Sequence, residues 1–313
     1  MLSYLARRLL LAPITILGLI AVIFILVRLM PGDPAVTMLG DYATEERVAA
    51  LRAEMGLDKP WPVQFGVYIG QLLRGNLGES MRMQKEVSWL IGSFFPPTLI
   101  LALSAMTIAV LVGVSSGIVA AFFHNTKFDY GTTMLAITAY SAPAFWLGLM
   151  ALFVFGIKLR WFPITGSGSG GTAVDVLRHL VLPAGALGLR QAALVSRMTR
   201  TSVLQTLQED YVRTATAKGL RNSRVLVKHA LRNALIPIVT VMGLTLGVLL
   251  GGTVVTEVVF SRPGLGKLLV TSVTTRDFQT LQGLVVVWGG IVILINLVID
   301  LVYCWIDPRI RYR

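Results

Sequence analysis

Residues 206–237, TLQEDYVRTATAKGLRNSRVLVKHALRNALIP, decide how the rest of the chain is read. The stretch is polar and basic, yet it stands between two long apolar runs. Thr206 and Glu209 have the spacing of a capping box, in which side chains satisfy the free N–H groups of a helix start. The spacing therefore predicts a helix from there through Lys218. Thr214, Ala215, Thr216 and Ala217 keep its middle slim, and Gly219 is a helix stop, because glycine adopts the left-handed conformation without a Cβ penalty. Arg221, Arg224, Lys228 and Arg232 follow at steps of three, four and four, which puts them on one stripe of a second helix. A basic helix lying on lipid would suit that stripe but not the slim first half. Two short helices around a glycine, outside the bilayer, point to a docking surface for another protein.

The remainder is built for a membrane. Of 313 residues, 55% are hydrophobic and 14% charged, with a mean hydropathy of +0.72. A soluble domain needs more polar surface than that. Six apolar runs are long enough to span as helices: 9–30, 98–123, 132–157, 177–203, 235–256 and 284–306. An even number puts both termini on one side. Lys and Arg mark that side as cytoplasmic: Arg7, Arg8, Lys127, Arg197, Arg200, the basic residues of 206–237, and Arg309, Arg311 and Arg313. The same bias accounts for the net charge of +12, so a nucleic-acid partner is not implied and membrane lipid is. Residues 1–27 begin like a secretory signal, but the apolar run is too long and no small-x-small site follows, so it is expected to stay as the first span. The lone cysteine, Cys304, lies within the last run, which excludes a disulfide framework or thiolate metal site.

Linear organisation follows: a first span at 1–30, an extracytoplasmic lid at 31–97, a five-helix core at 98–306 holding the loop 206–233, and a cytoplasmic tail at 307–313. In the lid, residues 44–55 read as a short helix stopped by Gly56, and Pro60 with Pro62 as a break. Trp61, Phe65, Tyr68 and Trp89 read as membrane-interface anchors, or as a contact for a soluble protein. Residues 261–268, SRPGLGKL, suggest a phosphate loop, yet Ser261 stands where Gly is required and Leu268 where Ser or Thr is. Nothing else offers a nucleotide site.

Ionisable residues within spans are the pathway candidates. Arg190 falls mid-span, where a charge costs about 2.5–3.5 kcal/mol on insertion scales, so it must face the bundle interior or water. Asn296 and Asp300 lie in the sixth run and Glu257 at the outer end of the fifth. Arg190 either pairs with Asp300 or meets a solute carboxylate. Gly113/Gly117 and Gly247/Gly251 have small-xxx-small spacing for close helix contact, within the chain or against a second subunit. His124, His179 and His229 are scattered and make no metal constellation, and no catalytic triad or paired carboxylates can be argued.

The layout of 206–237 resembles the cytoplasmic coupling loop, or EAA loop, of permease subunits in ATP-binding-cassette importers. Gly219, Ala215 and Pro237 match its pattern of Glu-Ala-Ala, three residues, Gly and a distal apolar-Pro. Thr214 replaces the first Ala and Arg213 the Glu, as is usual in the peptide/nickel branch, where DYVRTAxAKG precedes KHALRNALIP. PGDPA at 31–35, GLDKPWPVQFGVYIGQLLRGNLGES at 56–80, TEVVFSRPGLGKLLVTSVTTRDFQTLQ at 256–282 and DPRIRYR at 307–313 resemble the same branch, so the likeness covers essentially the whole chain.

That resemblance implies an all-α, six-span, type I importer permease fold. It implies half of a pore coupled to ATP, with Glu209, Asp210, Arg213, Ala215, Ala217, Lys218 and Gly219 meeting the ATPase. The implied partners are a second homologous permease, two cytoplasmic ATPase subunits and an extracytoplasmic solute-binding protein. ATP and Mg would be held by those partners, with no cofactor on this chain and no enzymatic activity of its own. The host would be a bacterium or archaeon, the location its plasma (inner) membrane. The branch carries dipeptides, oligopeptides, glutathione, nickel complexes and some sugars. Without a His/Cys/Met cluster for bare nickel, a peptide-like solute is preferred and a nickel complex is the alternative. A secondary transporter or channel is the reading from another class, to which inverted repeats with interrupted helices would point. A membrane-embedded enzyme would need convergent ionisable groups.

Overall fold

The computed structural model describes residues 2–29, 32–168, 172–221, 224–225 and 230–306. Among them no strand element forms; an isolated bridge pairs Glu79 with Glu86. Two compact units result, one of Met1–Pro96 with Lys267–Leu294, the other of Pro97–Gly266 with Ile295–Arg313. The chain thus returns to its first unit late, a pairing of distant segments that the linear division does not contain.

The first unit opens with α1 (Leu2–Leu29), apolar over Leu10–Leu29. In the PGDPA motif Asp33 caps α2 (Pro34–Leu39): its carboxylate accepts the Ala35 N–H at 2.9 Å and pairs with Arg52 of α3 (Glu45–Glu54). Thr44 is the N-cap residue of α3, and Gly56 behind its end has φ +65°. Pro60 and Pro62 begin a helix, α4 (Trp61–Leu73), instead of breaking one. Proline suits the first turn, where its missing N–H has no partner to lose. Phe65 and Tyr68 of α4 pack on Phe24 of α1, centroids 5.1 and 6.2 Å away, and Arg28 lies 3.4 Å over the same ring. Those two aromatics build a helix seam. Trp61 and Trp89 stay half exposed, the latter under Lys85.

Helix α5 (Val87–Phe122) begins ahead of the expected 98 and carries Pro96 and Pro97 inside it. Its 36 residues reach about 54 Å, well beyond a hydrocarbon layer of about 30 Å. The third apolar run is not one rod. Helix α6 (Lys127–Ser141) stops, and α7 (Ala144–Ala151), continued by a π-helical stretch Leu152–Lys158, leaves at 102°. Pro143 causes this: it cannot donate an N–H, and it drives the preceding Ala142 to ψ 135°, out of the helical region.

Helix α8 (Ala173–Leu207) is the hub of the second unit, packed against α6, α7 and α10 (Leu231–Val259). It meets α5 through glycine. A Cβ on Gly113 would lie 2.7 Å from Val195 Cβ, one on Gly117 2.6 Å from Thr199 Cβ, and one on Gly188 2.7 Å from the Ala105 carbonyl. Leu101, Ala105, Leu180, Ala184, Leu187 and Leu249 fill the core beside this seam. Helix α11 (Leu265–Thr274) and α12 (Phe278–Ile306) end the chain.

Among the described residues, four helices are by length and composition apolar enough to cross a membrane: Leu10–Leu29, Val87–Phe122, Asn233–Gly251 and Phe278–Ile299. The bent pair makes up to five. Helix α8 is long enough but carries Arg178, Arg190, Arg197 and Arg200. Its buried positions are mostly apolar or small, so its polarity sits on the remaining stripe.

Candidate functional site

The coupling segment is a short amphipathic helix, α9 (Asp210–Ala217). Its start differs from the capping-box expectation. Glu209 takes the N-cap position in extended backbone without a side-chain cap bond. The Thr206 hydroxyl donates back to the Ser202 carbonyl at 2.8 Å, as the last turn of α8. The long preceding helix claims Thr206 and leaves no free N-terminus for a box. Gly219 has φ +79° and donates its N–H to the Thr216 carbonyl at 2.9 Å, a left-handed stop.

Val212 and Ala215, three apart, bury one face of α9 with Val225, beside Leu207 and Leu220. Asp210, Arg213, Ala217 and Lys218 are exposed on the rest, as are Glu209 and Gly219. Ala215 therefore anchors the helix to its own chain, while the other six named positions remain accessible. An Asp210–Arg213 pair at 3.8 Å is too exposed to add stability. Asn233 Nδ2 donates to Tyr211 Oη at 2.7 Å, and Ser202 Oγ to the Ala234 carbonyl at 3.1 Å, so α9 and the end of α8 are tied to the start of α10. Ala121, Val203, Ala234 and Ile238 form the apolar floor below. Of the basic stripe expected next, Arg221 and Arg224 are exposed, while Lys228 and the side chain of Arg232 lie outside the described residues, as does His229.

A second tie, missed in the sequence, joins the α5–α6 turn to α8. Asp129 is buried and accepts from Arg200 Nε and Nη2 at 2.6 and 2.7 Å and from the Asn125 N–H at 3.0 Å. His124 Nδ1 stands 3.2 Å from the same carboxylate. The available signal was an acid in the first turn after the cap Thr126, but Arg200 is 71 positions away.

The four pathway candidates have separate surroundings. Glu257 is fully buried: one carboxylate oxygen accepts from Thr98 Oγ1 at 2.7 Å, the other from the Gly266 N–H at 2.8 Å, and Thr98 Oγ1 accepts the Leu265 N–H at 2.8 Å. Gly264 rests on the carboxylate itself, leaving no room for a Cβ. The SRPGLG glycines thus serve to wrap a buried acid. Arg262 in that turn is also buried, with Nε and Nη1 lacking hydrogen-bond partners among the described residues; burial lowers its pKa and the Glu257 charge opposes this. Asn296 is exposed on α12, and the side chain of Asp300 is outside the described ones. Arg190 lies mid-helix on α8, its Nε shielded and, among the described residues, without a hydrogen-bond partner, its guanidinium carbon 5.4 Å from the Tyr140 centroid.

The first unit holds a cavity of about 920 Å³ between α1, the lid helices and the start of α12. Tyr68 lines it; its hydroxyl is buried without a hydrogen-bond partner among the described residues, and burial pushes the phenol up to about 12 against the neighbouring Arg28. At the start of α12, Asp277 accepts from Ser80 Oγ, from Thr280 Oγ1 at 2.8 Å and from the Thr280 N–H at 3.2 Å, which seats the lid's 79–86 turn.

Residues 113–312 match the family described as binding-protein-dependent transport system inner membrane component, and residues 1–102 its N-terminal companion. The chain is 44% identical over 313 residues to a glutathione transport system permease of Salmonella choleraesuis, covering 100% of both. It is 41% identical over 335 residues to a di/tripeptide transport system permease of Pseudomonas aeruginosa, and 40% over 333 to a dipeptide transport system permease of Alkalihalophilus pseudofirmus, each again over 100% of both. A chain of the MetNI methionine ABC transporter superposes with a TM-score of 0.60 at 17% identity, over 70% of this chain and 97% of that one. A chain of an amino acid ABC transporter gives 0.56 at 17%, over 69% and 94%. At that identity the likeness concerns the fold.

Proposed function

Because the chain belongs to the inner-membrane components of binding-protein-dependent transport systems, we propose that it forms half of the translocation path of an ATP-driven importer for a peptide-like solute. In this reading six helical elements span: α1, α5, the bent α6–α7 pair, α8, α10 and α12. Helix α8 crosses shielded by its neighbours, with its charged stripe toward the path. Both termini and α9 lie in the cytoplasm. A second permease completes the path, two ATPases dock on the exposed face of α9 and hold the ATP and Mg, and an extracytoplasmic protein delivers the solute.

The observation that carries the coupling role is the division of α9 into a buried face, Val212 and Ala215, and an open, slim face ending at a left-handed glycine. Such a helix moves as a rigid body with α8 and α10, because Tyr211 ties it to Asn233 of α10 and Ser202 ties the end of α8 to the same helix. ATPase closure pressing on α9 is thereby transmitted to the spans. Arg190 is the pathway residue favoured here, since its Nε has no hydrogen-bond partner among the described residues, whereas the Glu257 carboxylate is committed to the outer turn. The names of full-length relatives support dipeptides, tripeptides or glutathione as the solute class.

Extraction in mild detergent, with mass spectrometry of what co-purifies, tests the assembly. A second permease and ATPase subunits are expected, and vesicles holding the complex should take up dipeptide only with ATP inside. Uptake by the isolated chain without ATP would sink the reading in favour of a secondary transporter.

A further inference from the structure

Helix α8 leaves one stripe uncovered. Leu189, Arg190, Leu194, Arg197 and Thr201 are exposed or half-exposed, while Gln191, Ala192, Val195 and Ser196 beside them are buried. Two arginines thus stand seven residues apart on one face, about 10 Å along the axis. Both approach a single aromatic ring: the guanidinium carbons lie 5.4 Å (Arg190) and 5.9 Å (Arg197) from the centroid of Tyr140. Tyr140 is the penultimate residue of α6, immediately before the Pro143 break. Arg197 also lines a pocket of about 150 Å³ with Tyr140, Ser141 and Thr133.

The third arginine of this region, Arg200, is spoken for by the buried Asp129. Arg197 is not: among the described residues it makes no hydrogen bond or ion pair, only the ring contact. A guanidinium carries five donors in a planar fork that matches a carboxylate. Held on an aromatic face, it keeps that fork open, and a charge-assisted bond to an arriving anion outweighs the stacking it replaces. Ser141 and Thr133 line the same pocket and carry hydroxyls able to donate to an anion.

We propose that Arg197 is a second carboxylate-binding group of the translocation path, about one peptide's length beyond Arg190 on α8, held ready on Tyr140 until a solute carboxylate takes its place. An extended tripeptide spans roughly 10 Å, so a carboxylate leaving Arg190 meets Arg197 after one such step. The inference rests on the reading that this chain lines the path for a peptide-like solute. Anionic lipid headgroups present the same chemistry, and the lipid arms of the test separate the two.

The test uses the whole importer with its cognate subunits, reconstituted in phosphatidylcholine liposomes with and without phosphatidylglycerol. A tripeptide and its C-terminal amide are each delivered by the binding protein, and uptake and ATPase activity are both read. Arg197→Gln should lower tripeptide uptake about tenfold with ATPase activity within about twofold of wild type. Arg197→Lys should recover most of the uptake, and any amide uptake seen in the wild type should be unchanged by Arg197→Gln. The loss should be equal in both lipid mixtures. Undiminished uptake in Arg197→Gln, equal loss of uptake and ATPase activity, or a loss confined to phosphatidylglycerol liposomes would each overturn the proposal, the last by assigning the site to a headgroup. If the wild type imports no peptide at all, the peptide reading itself fails and the proposal falls with it.

Discussion

Two helices of the second unit carry the same four-residue glycine spacing and use it differently. On α5, Gly113 and Gly117 are filled from within the chain: Val195 and Thr199 of α8 occupy the space where their Cβ atoms would be. On α10, Gly247 and Gly251 meet no described atom within 4 Å of a built Cβ, and Leu244, Val248 and Val255 around them are exposed. The spacing announces that a backbone can be approached closely, not what approaches it. A small-xxx-small pair lets helices touch, and only the tertiary neighbours decide whether the contact is internal.

That contrast can be broken by substitution. Gly117→Val forces a branched side chain into the Ser196–Thr199 wall and should cost about 3 kcal/mol, since overpacking strains both helices. Thermal denaturation of the purified chain should show a large drop in Tm or no folded protein. Near-normal stability would mean that α5 and α8 separate more readily than the seam implies. Next comes Glu257→Gln, which keeps the size of the side chain but replaces a charge-assisted bond to the Gly266 amide; about 1–2 kcal/mol should be lost. Limited proteolysis within 261–266 should rise with it. Unchanged protease resistance would separate Glu257 from the turn it is seen to hold. The smallest effect is expected from Gly251→Val, within about 0.5 kcal/mol in the isolated chain, because nothing stands in the way. A loss as large as that of Gly117→Val would erase the distinction between the two helices.

Much of the architecture was legible in composition and period. The apolar runs found the long helices, and Gly56 and Gly219 marked stops where the backbone does turn left-handed. What escaped the sequence was decided by neighbours distant in it. A hydropathy run through 132–157 contains no sign of a right-angle bend except Pro143, and a proline inside a span is often only a kink. Thr206 had the correct spacing for a cap, but α8 runs on through it, so its hydroxyl bonds backward. Glu257 stood at a span's end like a pathway charge, and its partner Thr98 lies 159 positions earlier. Arg190 was visible as an isolated charge, whereas Arg197 was counted only as a topology marker. Its position opposite Tyr140 exists only once α6 packs on α8.

The coupling role depends most on α9 presenting one face to its own chain and the other to an ATPase. Single cysteines at Ala217 and Val212, in a Cys304→Ser background, address this with a membrane-impermeant maleimide applied to inside-out vesicles. Ala217→Cys should label readily when the chain is expressed alone and be protected once its ATPase subunits are present, while Val212→Cys should resist labelling in both. Equal labelling of Ala217→Cys with and without the ATPases, or its labelling only from the outer side, would contradict the coupling role.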